Sequence, residues 1–311
     1  MQEAAADLQR TSPMAQDELR QLQLRSDTRG LLRLGGHLAA IGASAWLDWF
    51  LLTHSTSIVF HAVGAVVLGF TLVTMFAAMH ESVHRTAFKT RRLNDGVAWF
   101  AGLLSFYNST FYRPYHGWHH RFTQIPGKDP ELDEKKPVDL ASYLYAMSGV
   151  PWWLGKLHTH FRLALGETGA YPFLNGEVAA EVVRSVRLQL LVYVAAIALS
   201  AGLGYPYFVV YWLVPVAVGQ PMLRVILLAE HTGCTENDDA LTNTRTTYTV
   251  LPVRFLMWEM PYHAEHHRFP ALPFFSLART HSRLGPQLLF VARRGYLGLH
   301  AEFIKSLRRS T

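Results

Sequence analysis

From Leu34 to His84 the sequence contains no lysine and no arginine, and two long apolar stretches fill that interval, at 34–53 and 58–79. No lysine or arginine occurs between Arg187 and Arg224 either, and two further apolar stretches lie at 188–203 and 207–229. A bilayer's hydrocarbon core takes about 20 residues of apolar helix. Inside it every backbone polar group must find a partner within the protein, which a helix provides. The expectation is an all-α integral membrane protein with four transmembrane helices in two hairpins. The third stretch is marginal in length. The fourth carries Pro215 and Pro221, which are expected to kink it.

Charge sets the expected topology. The turns 54–57 and 204–206 carry no lysine or arginine, so the positive-inside rule puts them outside and both termini in the cytoplasm. The polar remainder then divides into an N-terminal segment 1–30, a cytoplasmic helical cap over 80–187 and 230–290, and a tail 291–311. An apolar run at 97–107 is too short to cross and reads as re-entrant or interfacial. Segment 140–165 includes Trp152, Trp153, Lys156 and Arg162, which suits a helix lying in the headgroup region.

Composition narrows the partners. Half the residues are apolar and 17% are charged, against about 25% in soluble domains. The formal charge of +6 is assigned to a lipid surface, because the basic residues flank apolar runs. No nucleic-acid-binding module is recognisable. The single cysteine, Cys234, excludes an internal disulfide, a cysteine-based zinc site and a four-cysteine iron–sulfur cluster; Cys234 itself reads as a bystander thiol. Residues 1–32 are polar, with no apolar stretch of a signal peptide.

Three histidine clusters carry the chemistry: HESVH with His80 and His84, HGWHH with His116, His119 and His120, and HAEHH with His263, His266 and His267. Residues three and four apart share a helix face, so each cluster aims two or three imidazoles at one point. His231, in AEHTG at the end of the fourth stretch, is expected at the same membrane face. Nine imidazoles are too many for one ion and enough for two. Nitrogen-only ligation suits iron, zinc, copper or nickel. Carboxylates near the clusters, Glu81, Glu265, Glu230, Asp129 and Glu131, are candidates to orient the rings by accepting their second N–H. His37, His54, His61, His158, His160, His281 and His300 read as bystanders.

In this order, and spread over two membrane hairpins, the three clusters resemble the histidine boxes of the membrane fatty acid desaturase and hydroxylase superfamily. The flanking segments HESVHRTAF, YRPYHGWHHRFTQIPGKDPEL, NTRTT at 243–247 and PYHAEHHRFPALP carry the resemblance over roughly residues 30–285. HESVHRTAF and the compact length look like the bacterial branch that includes dihydrorhizobitoxine desaturase, which implies a bacterial inner membrane. The resemblance implies two non-haem iron ions on the cytoplasmic face, O2 as co-substrate, and oxidation of an unactivated C–H bond in a fatty acyl or related amphiphilic chain. It implies that His231 binds metal from outside the boxes, and that Asn243 makes a polar contact near the site. With no cytochrome b5-like segment and no iron–sulfur cysteines, electrons are expected from a separate ferredoxin- or cytochrome b5-type donor with its reductase.

A side chain supplies no oxidant able to break an alkyl C–H bond, so a metal–oxygen species must do so. Regioselectivity then needs an apolar tunnel. Phe106, Tyr107, Tyr112, Phe255, Met257 and Trp258 are candidate lining residues, and Arg113, Lys128 and Arg254 candidates to attract an acidic head group. Desaturation, hydroxylation and alkene-forming oxidative decarboxylation all remain open on such a site. HESVH also fits H-E-x-x-H, the signature of a zinc metalloprotease with Glu81 as general base. That alternative leaves HGWHH and HAEHH unexplained. A metal transporter is expected to hold its ligands near the midplane, and here they gather at one face.

Overall fold

The computed structural model describes residues 14–133 and 136–308, so part of the 1–30 segment and the end of the tail lie outside the described residues. The chain is mostly helical. A short α1 (Gln16–Leu22) leads into α2 (Asp27–His54), whose N-terminus is capped by Ser26 accepting from the Arg29 amide. Then follow α3 (Ile58–Val73) and α4 (Met75–Val83), effectively one rod. At their junction the Thr74 hydroxyl donates to the Phe70 carbonyl at 2.7 Å, the back-bonding that locally bends helices. Next come α5 (Arg91–Ser105), α6 (Ser109–Phe122), α7 (Leu140–Met147), α8 (Val150–Leu165), α9 (Gly176–Gly202) and α10 (Val214–His231). Four shorter helices finish the chain: α11 (Leu251–Leu256), α12 (His263–Arg268), α13 (Phe274–Leu284) and α14 (Gly295–Leu307). One departure from all-helical structure is a two-residue parallel pairing of Thr246–Thr247 with Val291–Ala292.

Three helical stretches are long and apolar enough to cross a membrane: Ile58–Val83, Gly176–Gly202 and Val209–His231. The first expected span, 34–53, falls inside α2, which is not among them. Its length suffices. Its apolarity does not, because Asp48, His37 and several glycines interrupt the run. The α2 helix nonetheless returns antiparallel along α3. His37 meets the Thr71 carbonyl at 2.9 Å near one end, and Asp48 lies against Gly64 further along.

The α10 helix packs most extensively on α3. A Cβ on Gly69 would lie 2.1 Å from the Pro215 carbonyl oxygen, and one on Gly219 would lie 2.5 Å from that of Gly69. Small residues permit this backbone approach, as in other membrane helix pairs. The expected partner of α10, α9, touches its lead-in mainly through aromatic rings, Tyr193 against Trp212 and Phe208. The expected proline kink takes the form of a π-helical stretch at Val209–Leu213, where the Val214 amide reaches back to the Val209 carbonyl. Widening the turn accommodates Pro215, whose ring would otherwise crowd the carbonyl four residues earlier.

The apolar run 97–107 becomes the second half of α5 plus its cap. Phe106 takes a left-handed conformation, φ 61°, and the Tyr107 amide closes on the Gly102 carbonyl at 2.8 Å. Segment 140–165 forms two helices rather than one, because Gly149 (φ 76°) and Pro151 break it. On α8, Val150, Leu154, Leu157, Phe161 and Leu165 are exposed along one face, while Trp152, His160 and Leu163 turn inward. That amphipathic division suits a headgroup-level helix.

Candidate metal centre

Each histidine cluster sits on its own short helix, and the fold points all of them at one place. His80 and His84 end α4, with His80 buried among Phe76, Tyr112 and His116. The α6 helix is started by the Asn108 side chain accepting from the Phe111 amide at 2.9 Å, and presents His116, His119 and His120 on its last turns. The α12 helix carries His263, His266 and His267, and His231 is the last residue of α10.

A strained turn aims α12. Trp258 and Glu259 both have positive φ, 47° and 60°. Such strain persists where surrounding contacts over-determine it. Here the Trp258 indole donates to His37 at 3.2 Å, and Glu259 pairs with Arg33 and Arg254 at 3.3 and 2.7 Å. The α2 helix thereby holds the turn that delivers the third box.

The imidazoles fall into two groups. One nitrogen from each of His80, His84, His116, His120 and His266 lies within 4.8 Å of all the others, and the same holds for His119, His231 and His267. His263 joins the second group, its Nε2 3.2 Å from His231 Nε2 and 3.1 Å from His267 Nε2. The groups abut: His120 stacks on His267 with centroids 4.3 Å apart. All nine expected ring systems are therefore brought together.

Hydrogen bonding does not satisfy this cluster. His120 Nε2 lies 3.0 Å from both His116 Nε2 and His266 Nε2. A neutral imidazole offers one donor and one acceptor, so three nitrogens facing each other cannot all pair. Both nitrogens of His80, together with His84 Nε2, His263 Nδ1 and His266 Nδ1, are buried with no hydrogen-bond partner among the described residues. A buried polar atom without a partner is costly, and a bound cation would remove the cost. The donor set therefore fits metal ions.

Electrostatics favours the neutral, ligating form. Burial pushes His84 down to about 3, helped by the charge of Arg113 and by His119. Burial and the neighbouring rings likewise hold His116, His120, His263, His266 and His267 well below the usual histidine range. His119 goes the other way. Burial pulls it down, but the carboxylates of Glu131 and Asp129 outweigh burial and raise it.

The expected orienting carboxylates divide. Asp129 Oδ1 lies 2.9 Å from His119 Nδ1, and its other oxygen accepts from the Gln124 amide. Glu131 lies 3.6 Å from His119 Nε2, and Glu230 lies 3.5 Å from His263 Nε2. Glu81 and Glu265 touch none of the nine rings. Glu81 accepts from the Thr86 hydroxyl at 2.6 Å and the Phe274 amide at 3.0 Å. Glu265 holds His281 and the Thr246 hydroxyl, so His281, read as a bystander, fixes α12 from behind. Asn243 contributes its backbone carbonyl to His231 Nδ1 at 3.1 Å, and its side chain donates to the carbonyls of Thr123 and Asn237. Two contacts were missed in the sequence. The Thr123 hydroxyl meets His267 Nδ1 at 3.2 Å, and the Tyr112 hydroxyl meets His116 Nδ1 at 3.3 Å. Threonine and tyrosine carry no spacing signal that would single them out.

A cavity of about 380 Å3 opens onto the histidines, with Phe76, Tyr107, Tyr112, His80, His116 and His119 in its wall. Tyr107 and Tyr112 therefore line it as expected. Phe106 instead stacks on Tyr193 and His160, Phe255 packs at Gly36, and Met257 and Trp258 lie in the core. Arg113 and Arg254 are engaged by Asp95 and Glu259, and Lys128 lies over Phe122; none lines the cavity. Its cations are Lys136, Lys156 and Arg224. A second, polar cavity of about 260 Å3 reaches His120 and His267 beside Thr123 and Asn243. Cys234 stands apart, its thiol pushed up to about 11 by burial.

Residues 56–296 match the family model for fatty acid desaturases. The chain belongs to the fatty acid desaturase family. This family member is 24% identical over 205 residues to a sphingolipid delta(4)-desaturase DES1-like protein of Arabidopsis thaliana, an alignment covering 64% of this chain and 55% of that protein. It is 25% identical over 257 residues to the delta(5) fatty acid desaturase fat-4 of Caenorhabditis elegans, covering 68% of this chain and 54% of that one. The desaturase-family chain thus spans about half the length of these relatives. With three apolar helices of spanning length, it is a membrane protein whose buried histidine clusters are compatible with metal binding.

Proposed function

We propose that this chain is an O2-dependent, membrane-bound di-iron desaturase acting on a fatty acyl or related amphiphilic chain. The observation that carries the reading is the pair of abutting imidazole groups, with ring nitrogens unpaired by any other partner. His80, His84, His116, His120 and His266 would hold one iron, and His119, His231, His263 and His267 the other. Glu131 lies near enough to His116 and His119 to complete a third donor set. Two irons bound there supply, with O2 and two electrons, an oxidant equal to an alkyl C–H bond.

The chain's own residues do the rest. Burial keeps His84, His116, His120, His263, His266 and His267 neutral and available, since ligation requires deprotonated nitrogen. Asp129, Thr123, Tyr112 and the Asn243 carbonyl fix ring orientation from the far nitrogens of His119, His267, His116 and His231, as outer partners do at other metal sites. Phe76, Tyr107 and Tyr112 wall the cavity beside His80 and His116, holding an apolar chain against the centre and excluding water. Positioning of this kind lowers the barrier by fixing the reacting atoms about 3–3.5 Å apart.

The long helix α2 completes a four-helix membrane arrangement by running as a hairpin with α3. The lack of positive charge in the turns supports a cytoplasmic histidine face, and the similarity of HESVHRTAF supports a bacterial inner membrane. Electrons come from a separate ferredoxin- or cytochrome b5-type donor with its reductase. The test is mass spectrometry of lipids and small amphiphiles from cells with and without the gene, followed by turnover of the purified protein with O2 and a reductase-linked donor. A double bond that appears only with donor and O2, and is lost in His116→Ala, supports the reading. A hydroxylated or decarboxylated product would move it to those outcomes on the same site. Peptide hydrolysis with one zinc per chain would replace it.

A further inference from the structure

The larger cavity holds two cations that the histidine chemistry does not use. Lys156, on α8, places its Nζ 4.1 Å from the centre of the Tyr107 ring and 5.8 Å from that of Trp152. Arg224, on α10, donates from Nη2 to the Tyr107 hydroxyl at 3.0 Å and lies 5.4 Å from the Trp152 ring. Its Nε is buried with no hydrogen-bond acceptor among the described residues. Both side chains line the cavity. Lys136, also in the wall, pairs with Glu236 at 2.8 Å. The two carboxylates in the wall lie beside histidines, Glu131 at 3.6 Å from His119 and Glu230 at 3.5 Å from His263, and Glu230 is also within electrostatic range of Arg224, though not hydrogen-bonded to its Nε.

A guanidinium with an unmatched buried donor, sharing the Tyr107 and Trp152 rings with an ammonium, can take a further acceptor, and one carrying negative charge suits it best. Arginine's planar fork suits carboxylate or phosphate oxygens, and lysine adds a point charge. The rings limit water and strengthen such contacts.

We propose that Lys156 and Arg224 form the subsite for the substrate's polar end, and that this end is anionic, a carboxylate or a phosphate. The proposal rests on the desaturase reading for what the cavity holds, and names the chemistry of its head group. It also sets where oxidation falls. Arg224 and His231 lie on one face of α10, two turns apart, or about 10 Å at roughly 1.5 Å per residue. Tyr107 bridges the same distance on the other wall, its ring 4.7 Å from Phe76, which in turn lies 5.9 Å from His80. The oxidised carbons are therefore near the charged end of the molecule and not at its far terminus.

The test is binding to the purified full chain in neutral detergent, without O2 or electron donor, using palmitate, hexadecyl phosphate and methyl palmitate as probes in titration calorimetry. The wild type should bind at least one of the two anions more tightly than the ester. Lys156→Met and Arg224→Gln should each weaken that anion by about tenfold or more, the scale of a charge-assisted hydrogen bond, and leave methyl palmitate unchanged. Selective loss of palmitate identifies a carboxylate, and selective loss of hexadecyl phosphate identifies a phosphate. Arg224→Lys, which keeps the charge, should recover part of the loss, and this separates a binding role from a folding defect. Equal weakening of ester and anion, or variants that bind the anion like wild type, would overturn the proposal. Because no turnover is measured, a failed desaturase reading would leave this result legible on its own.

Discussion

His119 Nδ1 lies 2.9 Å from Asp129 Oδ1, and both side chains are buried. Asp129 is also held by the amides of Gln124 and Glu131. Burial raises its carboxyl, but the bond and charge of His119 and these amides more than offset it and bring it below the usual carboxylate range. A carboxylate fixed in this way locks the ring so that Nε2 faces the centre. Asp129→Asn keeps the shape and removes the charge. It is expected to weaken iron binding about 10–100-fold, read as faster loss of iron to a chelator, while helix content stays that of wild type.

Glu81 separates the oxidase reading from the protease one. A general base of a metalloprotease must face the metal, whereas this carboxylate is held through Oε1 by the Thr86 hydroxyl and the Phe274 amide, and its Oε2 is buried with no hydrogen-bond partner among the described residues. Glu81→Gln retains an acceptor for both. Iron content and turnover should match wild type, with a lower melting temperature as the only change. Complete loss of turnover with iron retained would give Glu81 a chemical role.

The Gly69–Gly219 crossing positions α10 and, through it, His231. A valine at Gly219 would push its Cβ into the Gly69 backbone. Overpacking of this kind costs about 1–3 kcal/mol. Gly219→Val should lower the melting temperature in detergent and reduce iron content, although the site lies three turns from His231. A variant with unchanged melting would mean that the two helices do not pack this closely.

His160 gives a pH dependence. Burial, then the charge of Lys156, pushes it from 6.5 down to about 4, against a raising hydrogen bond to the Lys156 carbonyl. The unfolded chain takes up a proton near pH 6.5 that the folded chain refuses until near pH 4. The stability this ring contributes is therefore complete above about pH 6.5 and is lost as pH falls toward 4, by about 1.4 kcal/mol per unit. His160→Leu should melt with a flatter dependence than wild type across that window. Parallel curves would contradict it.

Much of the centre was legible because ligands repeat at helical spacing. His80 and His84, or His263 and His267, announce a shared face. His231 was legible only by its position at the end of an apolar stretch. The partners of the rings were harder to read. Asp129 lies close in sequence to His119, but Thr123 reaches His267 across 144 positions, and nothing in a threonine's neighbourhood predicts such a pairing. Glu81 and Glu265 misled because adjacency to a histidine on a helix places a side chain on a different face. The α2 helix was hard to read for another reason: Asp48 lowers its apolarity, yet that side chain packs against Gly64 of the antiparallel α3. The cavity cations failed the reading for a third reason. Lys156 and Arg224 reach the same Tyr107 ring only after α8 and α10 pack around it, and that convergence is tertiary.

The most direct measurement is metal content per chain in protein purified after growth with iron, for wild type, His266→Ala and His231→Ala. Two irons in wild type, with about one retained in each variant, are expected from two abutting imidazole groups with separate ligand sets. One zinc per chain, or two irons kept in both variants, would contradict it.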